Sequence, residues 1–470
     1  MEIKMNEQFK VTVNGQVILV KSGTLLSDII DIEKPCGGNG KCGKCKALVN
    51  GKEELSCKYK IYSDITVEIP EKREILSETG AVISGHATAN MCLALDIGTT
   101  TLALALVSRD EGKIVRALTA TNPQRTYGAD VISRIDYCMK NSVEPLHGSL
   151  IAEINRMIDD LGITEIDTMY VSGNATMLHT LHNVDCSSMG VAPYTAAFLG
   201  ERHSSGSALG IDRVKSVISL PSVSSFVGAD IVSGIYYTEM PVAGKYDLLV
   251  DLGTNAEIVL YSERGGIATA AAAGPCFEGA NISSGMSATA GAIYAFTLEG
   301  GEASYKTVGD EAAVGICGTG LIDIIAALLK SGIIDETGYM EDDYSIAKGV
   351  SLSPEDVRQY QLAKSAICSA IEGLMAKQGI AHSDISRVYI SGGFSAKINI
   401  DNASYTGLFP KELLTKTVPI NNSSLLGTVK YAIQNGDIAE LAQKIQYVDL
   451  SSDPDFANSF IENMIFEIDE

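Results

Sequence analysis

Residues 93–115 read LALDIGTTTLALALVSRDEGKIV, and residues 248–268 read LLVDLGTNAEIVLYSERGGIA. In both, an apolar strand ends in Asp-x-Gly-Thr, turns tightly, and returns as a second apolar strand to a charged turn and a third strand. Asp96, Gly98 and Thr99 thereby correspond to Asp251, Gly253 and Thr254. A second pair follows in the same order. A helical pattern leads into MYVSGNATM at 169–177 and another into VYISGGFSA at 388–396, each a strand that ends at a glycine turn. A single Asp-x-Gly-Thr is a common strand-end turn and carries little weight. Two pairs in one order predict two like-folded α/β halves, residues 92–245 and 246–470, with a cleft between them.

The residue types state the chemistry of that cleft. An Asp-x-Gly-Thr hairpin brings backbone N–H groups and hydroxyls close to a phosphate, while its aspartate holds Mg²⁺ directly or through water. Two opposed hairpins would grip a triphosphate and its metal. Ser391, Gly392 and Gly393 end a strand with two glycines, which allows close backbone approach to a ribose or adenine. GICGTGLIDIIAALL at 315–329 predicts an amphipathic helix that starts at a glycine-rich turn, with Leu321, Ile324, Ile325 and Leu328 on its apolar face and N–H donors free for nucleotide at its start.

The other end of the chain has a different character. CGGNGKCGKC at 36–45 is followed by Cys57, so Cys36, Cys42, Cys45 and Cys57 are spaced to hold one metal centre. Glycines in such a loop let backbone N–H groups turn toward sulfur, as iron-sulfur ligation requires; a structural zinc site is the alternative. FKVTVNGQVILV predicts a hairpin about Asn14-Gly15, TLLSDIID a short helix, and ALVNGKEEL and DITVEIP further strands. These make a small sheet wrapped on one helix, residues 1–75, joined through a linker at 76–91. The remaining cysteines, Cys92, Cys138, Cys186, Cys276, Cys317 and Cys368, are scattered singly and read as small core residues. His179 and His182, three apart, read as packing residues rather than a metal site.

The length of 470 residues predicts more than one core. The net charge of −22 argues against nucleic-acid and anionic-membrane partners. Residues 1–75 are nearly balanced, so the negative excess lies beyond them. Lys34, Lys41, Lys44, Lys46, Lys52, Lys58 and Lys60 crowd round the cysteines as a solvated face or a docking rim. No apolar run reaches the roughly 18 residues of a membrane helix, the charged start lacks a signal peptide's apolar stretch, and a reduced, cytoplasmic protein is expected.

The two hairpins and the SGGF turn resemble the phosphate-1, phosphate-2 and adenosine motifs of the ASKHA superfamily. FVGADIVSGIYYTEMPV at 226–242 and SSLLGTVKYAIQNG at 423–436 stand where that superfamily has its connecting helices. This makes Asp230 a candidate for positioning an attacking water. Together with the cysteine loop, YGADVISRI, DLGTNAEI, GPCFEGANI and GICGTGLIDI resemble the reductive activators of corrinoid proteins across nearly the whole chain. The resemblance implies an α+β β-grasp ferredoxin-like domain followed by a duplicated α/β actin-like (ribonuclease H-like) ATPase domain. It implies a 2Fe-2S cluster on Cys36, Cys42, Cys45 and Cys57. ATP and Mg²⁺ would be held by Asp96, Gly98, Thr99, Thr100 and Thr101, by Asp251, Gly253, Thr254 and Asn255, by Gly318, Thr319 and Gly320, and by Ser391, Gly392 and Gly393. It further implies an external low-potential reductant and, as electron acceptor, a corrinoid protein whose Co(II) is returned to Co(I). The linker is shorter than in longer members of the family and stretches at most roughly 50 Å, which leaves a homodimer an open expectation. A small-molecule kinase of the same superfamily with a regulatory cluster, and an activator of the 2-hydroxyacyl-CoA dehydratase type, are the alternatives.

Overall fold

The computed structural model describes residues 8–13, 16–30, 32, 45–68, 90–238, 241–393 and 395–467. Cys36, Cys42, Lys34, Lys41, Lys44, the Asn14-Gly15 turn and positions 76–89 of the linker lie outside the described residues.

Near the start, β1 (Gln8–Val13), β2 (Gln16–Lys21), β3 (Lys46–Val49), β4 (Lys52–Leu55) and β5 (Ile65–Glu68) form one sheet in the order β2-β1-β5-β3-β4. β1 and β5 run parallel at its centre, and the other neighbours are antiparallel. Inward-facing Val11, Val20, Ala47, Val49, Ile65 and Val67 close a small core with Leu26, Ile30 and Ile61. Asn50 and Gly51 turn β3 into β4 with φ of 51° and 79°, the backbone that the Asn-Gly dipeptide favours. The predicted helix TLLSDIID is instead a single 3-10 turn, Leu26–Asp28. Asp28 N–H and Ile29 N–H bond three residues back, to Leu25 O at 3.0 Å and Leu26 O at 3.2 Å, while Leu26 N–H donates to Tyr59 O at 2.8 Å and Ser27 N–H to Ser56 O at 3.1 Å, tying the turn to the sheet.

The first half begins with the antiparallel strands β6 (Met91–Ile97), β7 (Thr101–Ser108) and β8 (Lys113–Thr121). Helices α1 (Val131–Lys140) and α2 (Glu144–Asp160) lead to β9 (Ile166–Gly173), which pairs parallel with β6. Then come α3 (Ala175–Leu181), β10 (Arg202–Ser205), α4 (Gly206–Leu209), β11 (Val214–Ser219) and α5 (Ala229–Tyr237), giving the sheet order β10-β11-β9-β6-β7-β8.

The second half repeats the plan. β12 (Tyr246–Leu252), β13 (Ala256–Ser262) and β14 (Gly265–Ala271) form the antiparallel unit. An insertion follows: β15 (Ala292–Glu299), β16 (Glu302–Thr307) and β17 (Gly315–Ile316), then α6 (Gly318–Lys330) and the hairpin β18 (Tyr344–Ala347) and β19 (Val350–Leu352). The long α7 (Pro354–Gln378) leads to β20 (Ile385–Ser391), parallel to β12, and α8 (Ile400–Tyr405), β21 (Thr417–Pro419), α9 (Ser423–Gln434), α10 (Ile438–Gln443) and β22 (Ile445–Tyr447) complete the sheet β21-β20-β12-β13-β14-β22. Five strands of the first sheet, β11-β9-β6-β7-β8, are matched in order by β21-β20-β12-β13-β14 of the second, as the paired motifs predict, while the sixth strands, β10 and β22, lie at opposite edges.

Two features join the halves. α9, from the second, packs Leu425, Val429 and Ala432 into the core of the first sheet, whereas α5, from the first, packs Ile231 and Ile235 against Leu249 and Val259 of the second. The helices cross almost in backbone contact: a Cβ placed on Gly427 would lie 1.8 Å from Ser233 O, and one on Gly234 would lie 2.8 Å from Ser423 Oγ.

The six single cysteines are all buried, as their spacing predicts. His179 and His182 are buried packing residues: His179 bonds Ala175 O and the Ala197 N–H, and His182 bonds Ser219 and Ser204. Among the described residues no helix is long and apolar enough to cross a membrane.

Candidate functional site

The cleft is built from matched parts. Across β6 and β9, Asp96 lies opposite Ser172; across β12 and β20, Asp251 lies opposite Ser391. The residue after each serine is a glycine with positive φ, 152° at Gly173 and 118° at Gly392. A Cβ there would meet Ile97 O at 2.8 Å and Leu252 O at 2.3 Å. Glycine is needed at both places because the end of one strand presses on its hairpin neighbour.

Consecutive serines at the start of α9 read both hairpins. Ser424 donates to Asp96 Oδ1 at 2.7 Å and shares a 2.8 Å hydrogen bond with Ser172. Asn422, the α9 N-cap, donates to Asp96 Oδ2 at 2.8 Å. Ser423 bonds Ser391 at 2.7 Å, and Ser391 in turn hydrogen-bonds Asp251.

The first hairpin turn is held from behind. Asn122 donates to Gly98 O at 2.8 Å, and Asn174, the α3 N-cap, donates to Thr99 Oγ1 at 3.1 Å. The fully buried Arg134 donates to the Thr99 carbonyl and, at 2.9 Å, to Gly128 O. Burial pulls its guanidinium down to about 9.

Carboxylates dominate the electrostatics. Burial pushes Asp96 up, and hydrogen bonds from Ser424 and Asn422 oppose this. Burial raises Asp251 to about 6. Asp230, in the first turn of α5, is raised to about 8 by burial and by the facing charges of Asp251 and Asp96. Glu257, register partner of Asp251, is raised well above the usual range by burial and by Asp230. Glu278, on a 3-10 turn (Pro275–Glu278), accepts through one oxygen from Thr254 Oγ1 at 2.7 Å and Thr100 Oγ1 at 3.2 Å, linking the two hairpins. So many acids crowded together call for a cation. Among the described residues no group of three or more His, Cys, Asp or Glu side chains is arranged to hold one directly. The arrangement fits Mg²⁺ carried in on phosphate oxygens and water, with the aspartates accepting from its waters.

The structure thus brings Asp96, Asp230, Asp251, Thr99, Thr100 and Thr254 to one cleft. Gly393 is exposed at the end of β20. Gly318 and Gly320 are buried: a Cβ would lie 2.3 Å from Phe277 O and 2.1 Å from Ile293 O, so these glycines seat α6 on its neighbours. Thr319 is buried between them. Glu257, Glu278, Ser423, Ser424, Asn174 and Arg134 were not singled out by motif. Glu257 alone had a local signal, its place across a two-strand hairpin from Asp251.

At the other end, Cys45 and Cys57 flank the open end of the β3–β4 hairpin, both buried, with Cys45 O accepting from Ser56 N–H at 2.8 Å. Ser56, next to Cys57, is fully buried and its hydroxyl has no hydrogen-bond partner among the described residues.

A duplicated sheet with paired Asp-x-Gly-Thr hairpins facing a shared cleft defines the ASKHA class. Family profiles agree: residues 91–243 match the RACo middle region and residues 245–470 the C-terminal domain of RACo, the ASKHA domain. The chain is 29% identical over 421 residues to the corrinoid activation enzyme RamQ of Eubacterium limosum, covering 80% of this chain and 70% of that one. It is 26% identical over 401 residues to the [Co(II) methylated amine-specific corrinoid protein] reductase of Methanosarcina barkeri, covering 75% and 72%. A solved reductive activator for corrinoid, iron-sulfur protein superposes with a TM-score of 0.74 at 26% identity, over 97% of this chain and 98% of that one. The chain belongs to the family of reductive activators of corrinoid proteins.

Proposed function

We propose that the protein uses ATP hydrolysis to pass an electron to the Co(II) corrinoid of a methyltransferase's corrinoid protein, restoring the methyl-accepting Co(I) state. The observation that carries the nucleotide part of this reading is that the start of α9 reaches both hairpin aspartates, Asp96 through Ser424 and Asp251 through Ser423 and Ser391, since it makes one site from both halves. The hydroxyls and N–H groups of Gly98, Thr99, Thr100, Thr101, Gly253, Thr254 and Asn255 bind the phosphates. Asp96 and Asp251 orient the waters of Mg²⁺. Asp230, in the first turn of α5 and facing Asp96 and Asp251, positions the attacking water. Ser391, Gly392 and Gly393 lie where the adenosine is expected, with the α6 turn at Gly318, Thr319 and Gly320 behind it.

The first sheet is the ferredoxin-like electron domain. Cys45 and Cys57 fit a 2Fe-2S cluster: both are buried at one hairpin end, and the Ser56 hydroxyl beside them, without a partner among the described residues, is a donor that a thiolate or sulfide would satisfy. Cys36 and Cys42 complete the set. When bound, the cluster supplies one electron at a time, taken from an external low-potential reductant. ATP shifts the transfer only if the lobes have states that differ in nucleotide affinity, and helices exchanged between two lobes provide such a coupling.

The test is spectroscopic. Reduced protein, Mg-ATP and a panel of Co(II) corrinoid proteins are combined anaerobically and cobalt is followed by its visible spectrum. Co(I) is expected to accumulate only when reductant, cluster and ATP are all present. Phosphorylation of a small metabolite, with no corrinoid responding, would hand the site to a kinase.

A further inference from the structure

Glu278 holds a position that the nucleotide reading leaves unexplained. Both threonine hydroxyls that should meet phosphate oxygens, Thr100 and Thr254, donate instead to one oxygen of its carboxylate, at 3.2 and 2.7 Å. A hydroxyl has one proton to give. While the carboxylate stands there, neither threonine can donate to a phosphate.

The carboxylate is delivered on a firmly seated turn. Cys276 and Phe277 are 3% and 2% exposed. Gly279 N–H donates to Cys276 O at 3.0 Å and Ala280 N–H to Pro275 O at 3.1 Å. A Cβ on Gly279 would press on the Met286 backbone at 2.4 Å, and the Gly318 position touches Phe277 O from the other side. The backbone of this turn is held in place, and only the glutamate side chain is left to move. Its second oxygen, Oε1, lies 3.8 Å from where a Cβ on Gly253 would be, directly over the tip of the second hairpin.

We propose that Glu278 is a built-in anion at the phosphate position, engaging the hydroxyls that would meet phosphate, and that it makes nucleotide binding conditional on a divalent cation. The inference rests on the nucleotide-site reading above. A nucleotide arriving without metal meets a fixed negative charge and two hydroxyls already committed. A nucleotide arriving with Mg²⁺ would bring positive charge to offset that of Glu278, and the carboxylate could then release the two threonine hydroxyls to the phosphate. Asp96 and Asp251 are placed differently, each accepting from serine or asparagine donors of α9 or β20. Glu278 is the acid that engages the phosphate-binding hydroxyls themselves.

Nucleotide affinity of the full chain is measured by titration calorimetry, with excess Mg²⁺ and with EDTA, for wild type, Glu278→Gln and Glu278→Asp. The glutamine keeps an acceptor and the size but removes the charge. It is expected to tighten metal-free ATP by about tenfold or more while Mg-ATP changes by less than about threefold. The ratio of the two affinities collapses, and Glu278→Asp retains the wild-type ratio. An unchanged ratio in Glu278→Gln, or equal weakening under both conditions, overturns the proposal, with thermal unfolding of each variant showing that it is folded. Wild-type protein that binds no nucleotide under either condition would instead remove the nucleotide-site reading on which the proposal stands.

Discussion

Ser424 donates a 2.7 Å hydrogen bond to Asp96 across 328 residues of sequence. The donor starts a helix of the second half, and the acceptor ends a strand of the first. The preceding residue, Ser423, reaches Asp251 of the second half through Ser391. One helix start therefore adjusts both hairpin aspartates, and a shift of α9 relative to either sheet disturbs the two together.

The aspartates are predicted to matter for turnover and not for the electron domain. Asp251→Ala and Asp96→Ala are each expected to lower Mg-dependent ATP hydrolysis by about a hundredfold or more, with the visible spectrum of the reconstituted protein unchanged. Wild-type hydrolysis in either variant would reduce the paired hairpins to structural turns.

The acid cluster sets a pH dependence with a definite sign. Asp230 titrates at about 8 in the folded protein against an ordinary value of 3.8, so the folded state binds the extra proton over that interval. Stability of the metal-free, nucleotide-free protein then falls as pH rises toward 8. His182, held down to about 4 from 6.5, acts in the opposite direction, but only below 6.5. The buried Lys364, lowered to about 8, opposes it only above that value. Melting temperature is expected to drop between about pH 6.5 and 8, and Asp230→Asn to flatten the drop. A wild-type melting curve level across this window contradicts the assignment.

The helix crossing permits no added methyl. Gly427→Ala places a Cβ 1.8 Å from Ser233 O, where only backbone can give way. A loss of about 3 kcal/mol or more is expected in chemical denaturation, with ATP affinity falling because both aspartates move with α9. Stability within about 0.5 kcal/mol of wild type would mean that the helices are not so close.

Cys45→Ser and Cys57→Ser are expected to abolish the visible iron-sulfur spectrum and the iron and sulfide content while nucleotide binding persists. The comparison also includes Cys36→Ser and Cys42→Ser. Stoichiometric zinc without sulfide in protein from iron-replete cells would identify a structural zinc site instead.

Much of the architecture was legible because its signals are local. The Asp-x-Gly-Thr turns and the glycines after Ser172 and Ser391 are demanded by backbone geometry within a few residues, so they recur visibly in each half. The apolar face of α6 follows from periodicity, and α9 from its place in the superfamily's order of elements. What escaped is what tertiary contact alone decides. Glu278 stands in an unremarkable turn until folding brings Thr100, 178 residues away, within reach. TLLSDIID has a helical pattern, yet it forms a single 3-10 turn tied to Ser56 and Tyr59, which only folding brings beside it. The Gly318 turn looks like a ligand loop, and its glycines are accounted for by contact with Phe277 and Ile293.

The exchanged helices bear on how the chain is made. Asp96 is synthesised long before Ser424 and Asn422, so a nascent first half carries a buried carboxylate whose donors have not yet left the ribosome. Its sheet also lacks Leu425, Val429 and Ala432, which seal it in the finished protein. Contacts of such long sequence separation form late and slowly. Residues 91–243 produced alone are thus expected to keep an open apolar face where Leu425, Val429 and Ala432 pack, and to fold better when α9 is supplied in trans.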